Sequence, residues 1–478
     1  MRSKVIRIKD NRRNKAESII LSTEQLDSLK KITQAIGKNS TGIIMYPNGA
    51  GFKNKDENYF IKLSSKLDTE TKEVAVPKDD DGISNNKEVS IYTSNIVGVL
   101  KCNDVIVEVQ SRFDANNNQY FFSTMLSHAF NCGFSKDFRP NVDSNGIWEI
   151  MLVLVFADSL EKAYQQGLFK QYVENKYNDY SFKGRLDVTR HLKSNIPFQG
   201  RIAWSNREYS YNNPIINLIH HTINTVSFRY YDIWMKIYSK NSHLPEIERV
   251  IREASPTYSW NTHYHLLQEC NKPINHPLFS EYEPLRKICL MILREEGIKV
   301  YNADEDEVYG ILFDCAWLWE NFVFKRLLSK ISFKKQEMQF KQPAMKALFI
   351  NKNSPKYQPD FITVPESKGI VLDAKYKEAY EQKDSNEGEN NDLYQAMSYQ
   401  FLHDSVLTGL VFPTKEKPVE KKAPRKCSYE HISNKQFWYI PFWVGDTNID
   451  SFYSDFENEC NNWVECYTQA FEEILQFY

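Results

Sequence analysis

Apolar positions along the chain follow two periods, and the switches between them mark its elements. Over residues 22–36, Leu26, Leu29, Ile32 and Ile36 recur at helical spacing and predict an amphipathic helix that Thr23 can cap. Over 96–113 the period drops to two. Val97, Val99, Val105, Val107 and Val109 alternate with other residues, and Asn103-Asp104 supplies a turn, so a strand pair is expected. From 119 to about 176 the pattern is helical again. A glycine- and arginine-bearing excursion follows at 183–204, then helices over 211–238 and 281–296. Beyond 305 the order is a helix at 314–328, strand-like segments near 331–342 and 346–351, and a hairpin at 360–376. A helix at 391–403, strands near 405–412 and 437–444, and a last helix over about 450–476 complete it.

This order predicts an α+β or α/β chain in three parts: a small mixed region at 1–95, a mainly helical region with a strand-bearing excursion at 96–300, and a C-terminal unit at 301–478 with a central mixed sheet flanked by helices. The polar stretch 76–88, with Asp79, Asp80 and Asp81 in a row, reads as a loop or hinge.

At 478 residues, 41% hydrophobic and 14% aromatic, the chain can fill the cores of two or three domains. Its 60 basic and 62 acidic residues leave a formal charge of −2, which excludes a globally basic DNA-coating protein but not local phosphate-binding patches. None of the eight cysteines forms a C-x-x-C pair, so zinc ribbons and dithiol redox sites are disfavoured. Cys289 and Cys315 lie in apolar, helix-like stretches, as reduced thiols do. With no signal-peptide pattern at the N-terminus and no apolar run near the ~18 residues of a membrane span, a cytoplasmic protein is expected.

The densest chemistry lies in 357–376. Two strand-like segments, Tyr357-Gln-Pro-Asp-Phe-Ile-Thr-Val364 and Ile370-Val-Leu-Asp-Ala-Lys-Tyr376, flank a turn-forming Pro365-Glu-Ser-Lys-Gly369. Alternation puts Val371, Asp373 and Lys375 on one face of the second strand, so a carboxylate and an ammonium project side by side. Asp360 offers a second carboxylate. It shares that face if Val364 pairs with Gly369; pairing Val364 with Ile370 would turn it away unless a bulge near Pro359 restored it. Phosphodiester hydrolysis calls for this set: carboxylates hold a hard cation such as Mg2+, and a lysine orients water or offsets developing charge. Glu320 falls at helical offsets from Phe313, Ala316, Trp317, Val323, Phe324 and Leu327, on an apolar face where a carboxylate needs a partner. On the later helix Asp392, Gln395, Tyr399 and Leu402 share a face, which places Gln395 and Tyr399 to support the site.

The ordered set resembles the PD-(D/E)xK nuclease superfamily, in the form seen in the McrC family of McrBC 5-methylcytosine restriction systems. Further blocks extend the likeness over about 95–445. Val97-Gly-Val-Leu to Val107-Glu-Val-Gln-Ser-Arg-Phe113 is similar to a strand pair ending in proline-lysine-phenylalanine, read here as Ser111-Arg112-Phe113. Tyr164-Gln-Gln-Gly-Leu168, Tyr172, Lys183-Gly-Arg-Leu-Asp-Val188, the 208–217 block with Asn213, and Tyr282-Glu-Pro-Leu285 match later blocks. The resemblance implies a C-terminal PD-(D/E)xK endonuclease domain that cuts DNA. Catalysis would fall to Asp360, Asp373, Lys375 and Glu320, with Mg2+ on Asp360, Asp373 and the Ala374 carbonyl. It also implies a partner, an McrB-like AAA+ GTPase hexamer whose hydrolysis the non-nuclease half stimulates. The chain has no G-x-x-x-x-G-K-[ST] of its own, and Asn48-Gly-Ala-Gly51 reads as a turn, so no nucleotide of its own is expected.

Weaker signals remain. His263, His265, Cys270 and His276 fit no standard zinc spacing. The run 415–426 carries six basic residues against two acidic ones; it is either a solvated loop or, through Lys421, Lys422, Arg425 and Lys426, a DNA contact. Arg185, Arg201 and Arg207 are ordinary surface arginines or docking residues for the ring. Two other functions compete: a motor-independent nuclease of DNA repair or mobile elements, and a non-catalytic activator of an AAA+ ring.

Overall fold

The computed structural model describes residues 4–11, 17–37, 42–47, 61–64, 87–103, 105–115, 119–132, 144–241, 243–295, 308–333, 338–349, 354–364, 368–377, 387–416, 425–428, 435–447 and 451–476. The 76–88 stretch is described only from Lys87 on, and the 48–51 glycines and Lys421 and Lys422 lie outside these residues. Two compact units result: Met1–Trp148 with Val308–Tyr478, and Glu149–Glu307. The sequence-drawn divisions at 95 and 300 are a different partition of the chain.

In the first unit a five-stranded mixed sheet runs in the order Lys4–Lys9, Val105–Gln110, Ile96–Cys102, Tyr309–Asp314, Ile43–Tyr46. The alternating valines of 96–110 form the expected antiparallel pair, and Asn103 takes a positive φ of 50° at its turn. Both strands are buried almost throughout, because the helix Thr23–Gly37 lays Leu29, Ile32 and Ile36 against Ile6, Ile8, Leu100 and Val107 in one core. Ser22 caps this helix rather than Thr23. Its Oγ accepts from Gln25 N at 3.3 Å, and Gln25 Oε1 accepts from Ser22 N at 3.2 Å, a reciprocal capping box one residue earlier than expected. A small sheet, Glu17–Leu21, Lys87–Thr93 and Ile61–Ser64, completes the N-terminal part.

The same unit holds a six-stranded mixed sheet in the order Gln339–Lys341, Phe361–Val364, Ile370–Ala374, Leu407–Thr414, Gln436–Trp443, Arg425–Ser428. Ile370–Ala374, Leu407–Thr414 and Gln436–Trp443 are parallel neighbours. The helix Glu387–Leu402 crosses between the first two of these and packs Ala396 on Leu410, Phe412 and Phe437. On the opposite face the helix Phe452–Gln476 stacks Phe471 on Trp438, centroids 5.7 Å apart, and sets Phe456 against Phe442.

The second unit differs from the periodicity reading in two places. Residues 171–179 are a strand, not the end of a helix: Ser144–Gln165 is the helix, and Gln171–Asp179 pairs with Ile202–Ser210, which also pairs with Arg185–Leu186. Exposure alternates along this strand, with Val173, Asn175 and Tyr177 half-buried and Tyr172, Glu174 and Lys176 exposed, and that period of two prevails. The helix expected over 211–238 is two helices, Pro214–Arg229 and Tyr231–Lys240, joined at Tyr230. Among the described residues no helix is long and apolar enough to cross a membrane.

Gly98 shows how tightly the five-stranded sheet is set. It has φ +149°, and a Cβ there would lie 2.1 Å from the Ile311 carbonyl oxygen of the adjacent strand. Gly98→Ala should therefore lower the free energy of unfolding by more than ~1 kcal/mol; an unchanged denaturation midpoint would contradict this packing.

Candidate active site

The site forms at the C-terminal end of the strand Ile370–Ala374. Its antiparallel register with the preceding strand sets Phe361 opposite Leu372 and Ile362 opposite Val371. Continued by one pair, that register puts Asp360 opposite Asp373 on one face, without a bulge. It is the register in which Val364 lies opposite Gly369; the turn residues 365–367 lie outside the described ones. Asp360 Oδ2 accepts a hydrogen bond from Ala374 N at 2.7 Å. On the other edge Lys375 N donates to Val411 O at 2.9 Å. The Ala374 carbonyl shares the edge of its own amide, toward Asp360.

Lys375 stands two residues beyond Asp373 on the same face. Its Nζ is 2.5 Å from Asp373 Oδ2 and 3.8 Å from Asp392 Oδ1. It donates to Gln395 Oε1 at 2.9 Å, and Gln395 Nε2 donates to the Tyr399 hydroxyl at 2.9 Å. Lys377 makes the closer ion pair with Asp392. The helix Glu387–Leu402 reaches this end because Tyr399 packs on Ile362 and Val371 of the two hairpin strands. Asp373, Lys375, Gln395 and Tyr399 are thus one connected group.

Glu320 accepts from Gln342 Nε2 at 2.9 Å. It is half-buried beside exposed Ala316 and half-buried Trp317, not on the buried apolar face expected from helical offsets. The core face of its helix, Cys315–Phe322, is Cys315, Leu318, Trp319 and Phe322. Asp314 caps that helix, accepting from Ala316 N and Trp317 N. A π-helical turn, Val323–Leu327, follows. Its wider winding shifts the periodicity, so Val323 and Leu327 do not line up with Glu320.

Three carboxyls crowd this end. Burial, then the charges of Asp373 and Glu320, push Asp360 well above the usual carboxylate range. Burial, then Asp373, also raises Glu320. For Lys375 burial opposes the charge, but Asp373 and Asp392 outweigh it and hold the ammonium above its ordinary value. Asp373 Oδ2 is buried and, apart from this ion pair, accepts no hydrogen bond among the described residues. Among the described residues no three His, Cys, Asp or Glu side chains are set to hold a metal ion by themselves. Two carboxylates and a carbonyl nonetheless suit Mg2+, which takes one or two protein carboxylates and fills its remaining positions with water and phosphate. A divalent cation would also relieve the repulsion that raises Asp360.

The other expected site residues lie elsewhere or outside view. Arg425 and Lys426 open the edge strand Arg425–Ser428; their side chains are not among those described. Arg185, Arg201 and Arg207 are exposed in the second unit, with Arg201 over the Tyr180 ring at 5.6 Å and Arg207 over Tyr172 at 5.1 Å. The sequence reading missed what holds the residue after Lys375. Arg112 Nη2 donates to the Tyr376 carbonyl, and the Arg112 guanidinium lies 4.6 Å from the Tyr376 ring centroid. Ser111 Oγ is 2.7 Å from the Tyr376 hydroxyl, and Phe113 meets its ring edge-on at 5.0 Å. Asp10, buried under Arg112, accepts from its amide at 2.5 Å and pairs with Nη1 at 3.1 Å. Burial, which outweighs Arg112, lifts Asp10 to about 6. The only sequence signal for this clasp was the Ser111-Arg112-Phe113 block.

Because folding raises the Asp360 pKa, that group costs the fold stability as pH rises through its folded value. Asp360→Asn removes the titration and keeps an acceptor for Ala374 N. In chelator, its melting temperature should fall less than the parent's between pH 5 and 9; parallel curves would contradict the carboxyl crowding.

The family model of the McrBC 5-methylcytosine restriction system component matches residues 91–413, which include every residue of this site. Among solved structures, the Thermococcus gammatolerans half-complex of McrB AAA+ hexamers with bound McrC matches at 14% identity over 96% of this chain and 100% of that one, with a TM-score of 0.44. The cryo-EM McrBC complex of the same organism matches at 11% identity over 67% and 86%, with a TM-score of 0.28. No curated protein matches. Since the family model covers well over half of its length, this chain belongs to the family of McrBC 5-methylcytosine restriction system components.

Proposed function

We propose that this chain is the DNA-cutting subunit of its restriction system, a Mg2+-dependent endonuclease with a PD-(D/E)xK domain built on the six-stranded sheet. The observation that carries the reading is the hairpin register, Phe361 opposite Leu372 and Ile362 opposite Val371, which continued by one pair sets Asp360 opposite Asp373, with Lys375 two residues further along the same face. Asp360, Asp373 and the Ala374 carbonyl would hold the cation. Magnesium, when bound, supplies a Lewis acid for the phosphate and lowers the pKa of water. Lys375 stands beside the cation position and offsets charge that builds on the phosphate as the bond to the attacking oxygen forms. Gln395, itself donating to the Tyr399 hydroxyl, accepts from the Lys375 ammonium and holds it in place. Glu320, tied to Gln342, faces the pair as a third carboxylate for water or a second proton.

The partner in this reading is an McrB-like AAA+ GTPase hexamer. Family membership and the lack of a phosphate-binding loop in this chain support it. The second unit, with Arg185, Arg201 and Arg207 exposed on or beside its three-stranded sheet, is the part we assign to docking.

Asp373→Ala and Lys375→Ala should each abolish DNA cleavage in Mg2+ while circular dichroism shows a retained fold. Parental cutting rates in either variant would end the assignment. With its cognate ring, the Asp373→Ala chain should still raise GTP hydrolysis, whereas Arg185, Arg201 and Arg207 changed together to Ala should lower that stimulation severalfold. The opposite pattern would reverse the division of labour.

A further inference from the structure

Between Gln342 and Asp360 lies a two-stranded ribbon that supplies no side chain to the active site. Lys346–Ala347 pairs antiparallel with Lys356–Tyr357. Toward the tip, Leu348 N donates to Pro355 O at 2.8 Å and Phe349 N to Ser354 Oγ at 2.5 Å. At the neck Gln358 Nε2 donates to Pro343 O at 2.9 Å. Gln342, just before the neck, is the residue that holds Glu320, and Asp360 follows two residues after Gln358. One side of the base rests on the site's helix, with Tyr357 6.3 Å from Tyr399 and 5.8 Å from His403, ring to ring.

Its composition is one-sided. From Gln339 to Pro359 there is no acidic residue, in a chain whose net charge is −2. Lys346 and Lys356 are exposed. Because directly paired residues share a face, Lys346 lies on the Tyr357 face and Lys356 on the Ala347 face. The ribbon therefore carries an ammonium on each side. Phe349 is 58% exposed, and Met345 near the base is 59% exposed. A two-stranded ribbon fits a duplex groove, and cations on both faces suit the two phosphate walls that bound one.

We infer that the hairpin carrying Lys346 and Lys356 is a duplex-DNA contact that seats in a groove and presents the backbone to Asp360 and Asp373. This rests on the nuclease reading and adds the element that grips the substrate. The lysines contribute charge to phosphates, and Phe349 contributes apolar contact to sugar or base edges.

The test uses the full chain in an Asp373→Ala background, which binds without cutting, and a fluorescent 30-base-pair duplex titrated at several salt concentrations. A Lys346→Gln, Lys356→Gln pair should weaken duplex binding on the order of tenfold at 0.15 M salt and lower the salt slope by about 2, one phosphate contact each. Phe349→Ala should weaken binding without changing the slope. A single strand of the same sequence should be bound equally by parent and lysine variants. An unchanged duplex slope, in variants whose melting temperature matches the parent's, would overturn the hairpin contact while leaving the nuclease reading intact. Equal losses on single strand and duplex would overturn the groove seating. If the Asp373→Ala chain shows no salt-dependent binding to duplex at all, the nuclease reading itself fails.

Discussion

The contact on which the site depends is the buried clasp of Arg112 on Tyr376. It joins the end of one sheet to the end of the other, directly after the lysine of the candidate site. Burying Arg112 with Asp10 costs both ions their water, and such pairs seldom repay that in stability against an apolar substitute. Their value is geometric. The guanidinium fixes a carbonyl, Ser111 fixes a hydroxyl and Phe113 fixes a ring, all on one residue. With Lys375 N held by Val411 on the far edge, the backbone that carries the ammonium cannot swing, so the Lys375–Asp373 pair keeps its spacing.

Most of the strands and helices that frame the site were legible as periods. Alternation over 96–110 and 360–376 survives because these segments form hairpins, whose side chains must choose faces. The Asp360–Asp373 pairing was legible for the same reason: a period of two leaves one register that places both carboxylates together. Three features were not legible. The strands at 4–9, 43–46 and 309–314 find their partners far away in sequence, and no local pattern announces that. The environment of Glu320 was misjudged because its apolar neighbours Ala316 and Trp317 lie on the helix face away from the core, and a π turn follows directly after the helix. The clasp on Tyr376 joins residues 264 positions apart, and short-range patterns carry no trace of such a bond.

The family-like blocks in the second unit have a packing explanation. The Tyr282 hydroxyl donates to Gly167 O at 2.8 Å and accepts from Phe169 N at 3.1 Å. Asn213 Nδ2 donates to Phe169 O at 2.9 Å, while its Oδ1 caps the helix Pro214–Arg229 by accepting from Ile216 N. Three blocks distant in sequence thus close on one loop at the root of the three-stranded sheet. An asparagine does there what an aspartate could do only in part, since it caps a helix and also donates to a carbonyl.

The strand Tyr309–Asp314 lies between Ile96–Cys102 and Ile43–Tyr46, and Ile43–Tyr46 has no other strand neighbour among the described residues. On the ribosome, Ile43–Tyr46 and one edge of Ile96–Cys102 therefore wait unpaired while the whole intervening unit is synthesised. Contacts across so many residues close slowly, and open strand edges invite pairing with other chains. The order of synthesis thus makes the Glu149–Glu307 unit able to fold before the first unit can be completed. A chain truncated before residue 309 therefore leaves Ile43–Tyr46 and one edge of Ile96–Cys102 without their strand partner.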